Sequence, residues 1–128
     1  MLQRGDCLPL FTVRRADGRD VRYRDIWQRR NLVLVSLPGQ GSAEGRDAYA
    51  EALAARQAEL ESYDAECIVT RDVVPGVPRP GVIVADRWGE IAFVSGGARV
   101  ADLPAAADLV EWATFVQHQC PECQGEAK

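Results

Sequence analysis

Several residue types are nearly missing from this 128-residue sequence. It has one histidine (His118), one lysine (Lys128), one methionine and four cysteines: Cys7, Cys67, Cys120 and Cys123. With His118 as the only available base, and nothing pairing it to a serine, a serine-hydrolase arrangement has no support. No apolar run approaches the roughly 20 residues that span a bilayer, so no membrane association is expected. The opening "MLQRGDCLPLFTV" lacks a basic segment followed by an apolar one, so no signal peptide is expected and the cytoplasm is the default compartment. In that compartment four cysteines point to thiols, a metal site or redox chemistry ahead of structural disulfides.

What is present is ordinary for one globular domain: 47% apolar and 27% charged residues, enough for a single core. We expect one domain over residues 1–118, followed by a tail over 119–128. Charge is uneven. Residues 1–30 carry eight arginines against four aspartates, and the remainder is acidic, giving −4 overall. An acidic chain without interleaved basic and aromatic residues is not a nucleic-acid binder. The arginines read as a solvated hairpin face.

The chain reads as a series of short elements without repeats or linkers. "PLFTVRRADGRDVRYRDIW" has the form of a hairpin, with Asp17-Gly18 as its turn, because glycine accepts positive φ. Residues 24–29 suit one helical turn. "NLVLVSL" (31–37) is a continuous apolar run, as expected for a central strand buried on both faces. Pro38, Gly39 and Gly41 end it, and a helix is predicted from about 44 to 63, with Ser42 as its cap and Tyr49, Leu53, Leu60 and Tyr63 on its apolar face. "ECIVT" (66–70) is a further buried strand. "RDVVPGVPRP" crosses over without helical signals. "GVIVAD" (81–86) and "EIAFV" (90–94) form a second hairpin about "RWG". Leu109, Trp112, Ala113 and Val116 follow helical spacing, so residues 104–118 form the last helix.

This order resembles the thioredoxin fold, and more narrowly its peroxiredoxin-related (redoxin) branch. Two segments carry the resemblance. "GDCLPLFTVRRADGRDVRYRDIW…NLVLVSL" is similar to that branch's opening, and "RPGVIVADRWGEIAFV" resembles the segment that follows the family's cis-proline. The resemblance implies an α/β domain with a mixed central sheet of about five strands, flanking helices and an N-terminal β-hairpin. It also implies that Pro80 is the cis-proline, that Asp86 starts a hairpin turn and that Gly89 ends it. Two departures stand out. The junction "SLPGQGSAEGR" puts Ser42 at the family's first cysteine position and Gly45 at its second, and the 70–80 crossover is too short for the family's usual helix.

The missing sulfur governs the chemistry. The family's site needs a thiolate whose pKa is lowered by a helix N-terminus. A serine hydroxyl does not ionise at neutral pH and cannot pass through a sulfenic acid or a disulfide. The standard peroxidase and disulfide-exchange site is therefore expected to be inactive, with Ser42 serving as a helix cap. The glycines at 39, 41 and 45 lie between strand and helix, where phosphates often bind. Their spacing is not Gly-x-Gly-x-x-Gly, however, and no P-loop lysine is present.

Chemistry then falls to Cys120-Pro121-Glu122-Cys123, for which three readings stay open. As a redox pair, Cys120 and Cys123 can close a small disulfide ring and exchange with a protein thiol or disulfide, or with Cys67 or Cys7. The setting disfavours a thiolate, because the pair follows a helix C-terminus and Glu122 and Glu126 are close by. As a metal site, His118, Cys120 and Cys123 supply three candidate zinc ligands, completed by another cysteine or by a second copy in a homodimer. The remaining reading is an inert tail. Cys67 reads as a small core residue and Cys7 as structural. The three tryptophans read as structural too, although an exposed Trp88 beside Pro80 would mark a partner surface.

Overall fold

A computed structural model describes residues 2–15, 17–39 and 43–118, without the side chains of Ala43 and Glu44. Its elements run β1 (Thr12–Arg14), β2 (Asp20–Arg22), a 3-10 turn (Tyr23–Asp25), β3 (Asn31–Ser36), α1 (Ala43–Ala54), α2 (Gln57–Ser62), β4 (Ala65–Thr70), β5 (Gly81–Ala85), β6 (Ile91–Gly96), a second 3-10 turn (Val100–Asp102) and α3 (Ala106–His118). The sheet order is β4-β3-β5-β6. β4 runs parallel to β3, while β5 and β6 are antiparallel to their neighbours.

All six residues of β3 are buried. This follows from its run of branched apolar side chains, which suits a strand covered on both faces. Val33, Val35 and Leu37 face α1, α2 and α3, where they meet Leu53, Leu60, Leu109, Ala113 and Val116. Leu32 and Leu34 face the other way, toward Leu8, Val13, Tyr23, Ile26 and Ile83. The helical spacing read from the last helix describes its packing, since Leu109, Ala113 and Val116 are buried. The helix starts at Ala106 rather than 104, because Ala105 is the first residue whose carbonyl accepts helical N–H bonds, from Asp108 and Leu109.

Two details differ from the sequence expectation. The central sheet has four strands, and the N-terminal hairpin forms its own two-stranded ladder. β1 and β2 are three residues each, and in β1 only Val13 is buried, so the pair has too little apolar surface for a place inside the sheet. It leans on the edge strand instead: Thr70 Oγ1 donates to the Arg14 carbonyl (2.7 Å) and Arg15 to the Cys67 carbonyl (2.9 Å). The second difference is that the helix expected over 44–63 is divided. The Arg56 N–H bonds back three residues, to Leu53 O, and its ψ of 9° leaves the helical range. No proline or glycine marks this break, and both Leu53 and Leu60 remain in the core.

The β5–β6 turn is set by two residues. Asp86, itself buried, accepts the N–H groups of Trp88 (2.9 Å) and Glu90 (3.0 Å) through Oδ1. Gly89 adopts φ +83°, and a Cβ there would also sit 3.2 Å from the Tyr23 hydroxyl. Gly45, in the first turn of α1, has open space around it. Opposite effects are therefore expected from one substitution at these two sites. Gly89→Ala should destabilise by about 1–2 kcal/mol, and Gly45→Ala should stabilise by about 0.5–1 kcal/mol. Urea denaturation midpoints measure both.

Candidate functional site

The junction between β3 and α1 is where the sequence places the family's working residues. Ser42 lies outside the described residues, as do Cys120 and Cys123. Gly45 is exposed on α1. The Arg79–Pro80 peptide bond is cis, just before β5. At the end of β3 and the start of α1 the described residues supply guanidinium groups and no thiol. Arg46, buried in the first turns of α1, donates to the Pro38 carbonyl at 3.0 Å. Its Nε has no hydrogen-bond partner among the described residues. Arg79 donates to the Leu37 carbonyl through Nε (3.3 Å) and to the Arg71 carbonyl through Nη2 (2.8 Å). Its Nη2 lies 3.3 Å from where a Cβ on residue 39 would be, so a side chain there would press on this guanidinium. Arg71 faces Asp47 at 3.9 Å. Carbonyls of the chain leaving β3 are thus held by side chains from two separate elements.

Sequence reasoning missed Arg46 and Arg79. Among fourteen arginines nothing local distinguishes them, because their partners are backbone carbonyls. A buried position on the helical repeat of α1 was the only available signal.

Cys67 lies in β4, half-buried, on the same face as Val33, its register partner. Burial pushes its thiol up from 9.0 to about 12, with Arg15 pulling it partly back and Glu66 adding to the rise. The thiol lines a groove of about 580 Å³ along the outer edge of β4. Leu53 and Ala54 of α1 and Leu60 of α2 form one wall. The other wall carries Arg15 and Arg30, which share the Glu66 carboxylate, Arg30 at 2.8 Å. Cys7 is exposed at the opposite side of the sheet, bridged to Glu90 beyond β6.

His118 is exposed at the end of α3, its ring edge-on to Tyr63 with centroids 6.2 Å apart. Among the described residues no three histidine, cysteine, aspartate or glutamate side chains gather to hold a metal ion. Trp88 is half exposed, and its carbonyl accepts from the Trp27 indole at 3.0 Å. It does not stand beside Pro80 as the sequence suggested. The two lie at opposite ends of β5, because the strand is extended between them. No helix among the described residues is long and apolar enough to cross a membrane.

No protein-family model matches this chain, and no curated protein matches it. Solved structures do. A reduced 2-Cys peroxiredoxin from Plasmodium vivax superposes with a TM-score of 0.72 at 10% identity, covering 90% of this chain and 82% of that one. A yeast mitochondrial 1-Cys peroxiredoxin gives 0.65 at 12% identity, covering 86% and 74%. A thioredoxin-family thiol:disulfide interchange protein from Chlorobium tepidum gives 0.63 at 11% identity, covering 91% and 99%. The fold is therefore thioredoxin-like, of the peroxiredoxin-related kind.

The Cys67 environment has two measurable consequences. At mildly alkaline pH its alkylation should be about a thousandfold slower in the folded chain than in urea, from the shift of about three pH units. The second is on stability. Between pH 9 and 12 the unfolded thiol ionises while the folded one stays protonated, so the contribution of Cys67 to stability is complete below pH 9 and lost as pH rises toward 12. Tyr49, also pushed up to about 12 chiefly by burial, acts in the same direction. Denaturation curves across this range should show a shallower alkaline decline for Cys67→Ala than for the parent chain.

Proposed function

We propose that this chain is a thiol-redox protein whose dithiol–disulfide couple is Cys120 and Cys123, on a thioredoxin-like scaffold that has lost its usual reactive position. The observation that supports this reading is the scaffold itself, a thioredoxin-like fold whose junction carries no cysteine in the sequence between β3 and α1. Solved proteins of the same fold, at low identity, are described as peroxiredoxins and thiol:disulfide interchange proteins.

The electrostatics favour one direction of electron flow. Oxidising dithiols owe their potential to a stabilised thiolate. Here the pair follows the C-terminal end of α3 in sequence, with Glu122 between the sulfurs, and neither feature stabilises negative charge. The couple is therefore poised toward the disulfide and donates electrons. One thiolate attacks a partner disulfide and releases the first partner thiol. The second attacks the mixed disulfide, releases the other, and leaves the ring closed between Cys120 and Cys123.

A second reading has one observation in its favour: His118 is exposed at the end of α3, two positions before Cys120. His118, Cys120 and Cys123 would then supply three of zinc's four ligands, or a contact in a homodimer. Native mass spectrometry with and without reductant and chelator separates the readings. The redox reading expects a reversible loss of two hydrogens localised to residues 120–123 and no bound metal. The zinc reading expects a metal that a chelator removes, with the thiols then open to alkylation. In a disulfide-reductase assay, Cys120→Ser and Cys123→Ser should each lower turnover at least about tenfold, and peroxidase turnover should be absent in the parent chain. Full reductase activity in the double variant would overturn the redox assignment.

A further inference from the structure

The groove of about 580 Å³ between the helices and the edge strand β4 is lined by described residues throughout, and its size is that of a small-molecule site. Its apolar lining comes from Leu53 and Ala54 of α1, Leu60 of α2, and Ala65 and Val69 of β4. Its charged lining is divided by element. The hairpin, β4 and the entry to β3 supply Arg15, Arg19 and Arg30 against Asp17 and Glu66, a net of +1. α1 and α2 supply Glu51 and Glu61 and no basic residue, a net of −2.

The positive side is built around an unbalanced triad. Glu66 accepts from both Arg15 and Arg30, and the Arg15 and Glu66 side chains are 19% and 23% exposed. One carboxylate thus faces two guanidinium groups. The surplus charge is partly withdrawn from water, where a second carboxylate satisfies it. Arg30 has donors to spare for one, since it engages Glu66 through Nη1 and its side chain is 47% exposed. Arg19 and Asp17 pair with each other at 3.1 Å in solvent, so they cancel. Glu51 and Glu61 are exposed, so they attract a cation at little cost in desolvation.

We propose that this groove binds a small zwitterion with an apolar body, the chemistry of a short peptide with free termini. Its carboxylate lies against Arg15 and Arg30, its ammonium group toward Glu51 and Glu61, and its side chains against Leu53, Leu60 and Val69. A simple anion leaves the helical carboxylates unanswered. A simple cation leaves the triad its surplus charge, and an uncharged ligand uses neither side. The site is separate from the β3–α1 junction and from the cis-proline: β5, which Pro80 precedes, lies two strands from β4. It involves no residue of the tail, so it stands or falls independently of the redox reading.

The test titrates the isotope-labelled full chain with trileucine, its N-acetyl form and its C-terminal amide, followed by amide NMR shifts. Trileucine should give saturable shifts centred on the groove-lining residues of α1, α2 and β4. It should also slow alkylation of Cys67, whose thiol lines the groove. Acetylation and amidation should each weaken binding about tenfold. Arg30→Met should weaken binding of trileucine about tenfold yet leave the affinity of the amide unchanged, because the amide has no carboxylate to lose. Ala54→Trp, at an exposed position on the groove wall, should abolish binding while the far-UV circular dichroism stays that of the parent chain. No saturable shift below about 5 mM, equal affinity for the three peptides, or an equal loss for trileucine and its amide in Arg30→Met overturns the proposal.

Discussion

Everything in this molecule hangs on burying β3 from both sides. Its six residues are fully enclosed, and each of its neighbours is there to complete that enclosure. β4 and β5 satisfy its backbone, the three helices cover one face, and the hairpin with the 3-10 turn at Tyr23 covers the other. A strand with no polar face has no alternative partner that satisfies both its side chains and its hydrogen bonds. The direction in which the chain leaves β3, and hence the position of the junction with α1, follows from that constraint.

At the junction a thiolate would meet the positive end of α1. In its absence, Arg46 and Arg79 hold the carbonyls of Pro38 and Leu37. Burying a guanidinium is costly unless its donors are used, and Arg46 leaves one donor unpaired among the described residues. The carbonyls at the end of β3 are thus held by guanidinium groups.

Much of the architecture was legible in the sequence because it is written in local patterns. The apolar run of β3, the Asp-Gly and Asp-x-x-Gly turns and the spacing of Leu109, Trp112, Ala113 and Val116 each specify an element within a few residues. What was not legible depends on distant partners. The interruption of the long helix at Arg56 has no glycine or proline to announce it. The separation of the hairpin from the sheet depends on how little apolar surface β1 and β2 carry. The roles of Arg46 and Arg79 lie in bonds to carbonyls, which no side-chain pattern encodes. The groove at Cys67 exists only once α1, α2, β4 and the hairpin are assembled, so the sequence showed a core cysteine and not a lined opening.

The bond from Arg15 to the Cys67 carbonyl has a colloidal consequence. β4 is an edge strand, and an unguarded edge offers its carbonyls and amides to any passing chain. Here one side chain, anchored by Glu66, occupies an acceptor that a foreign strand would need, and the hairpin closes the far end at Thr70. Arg15 thus works as a gatekeeper against fibril-like growth from this side of the molecule, a task separate from folding.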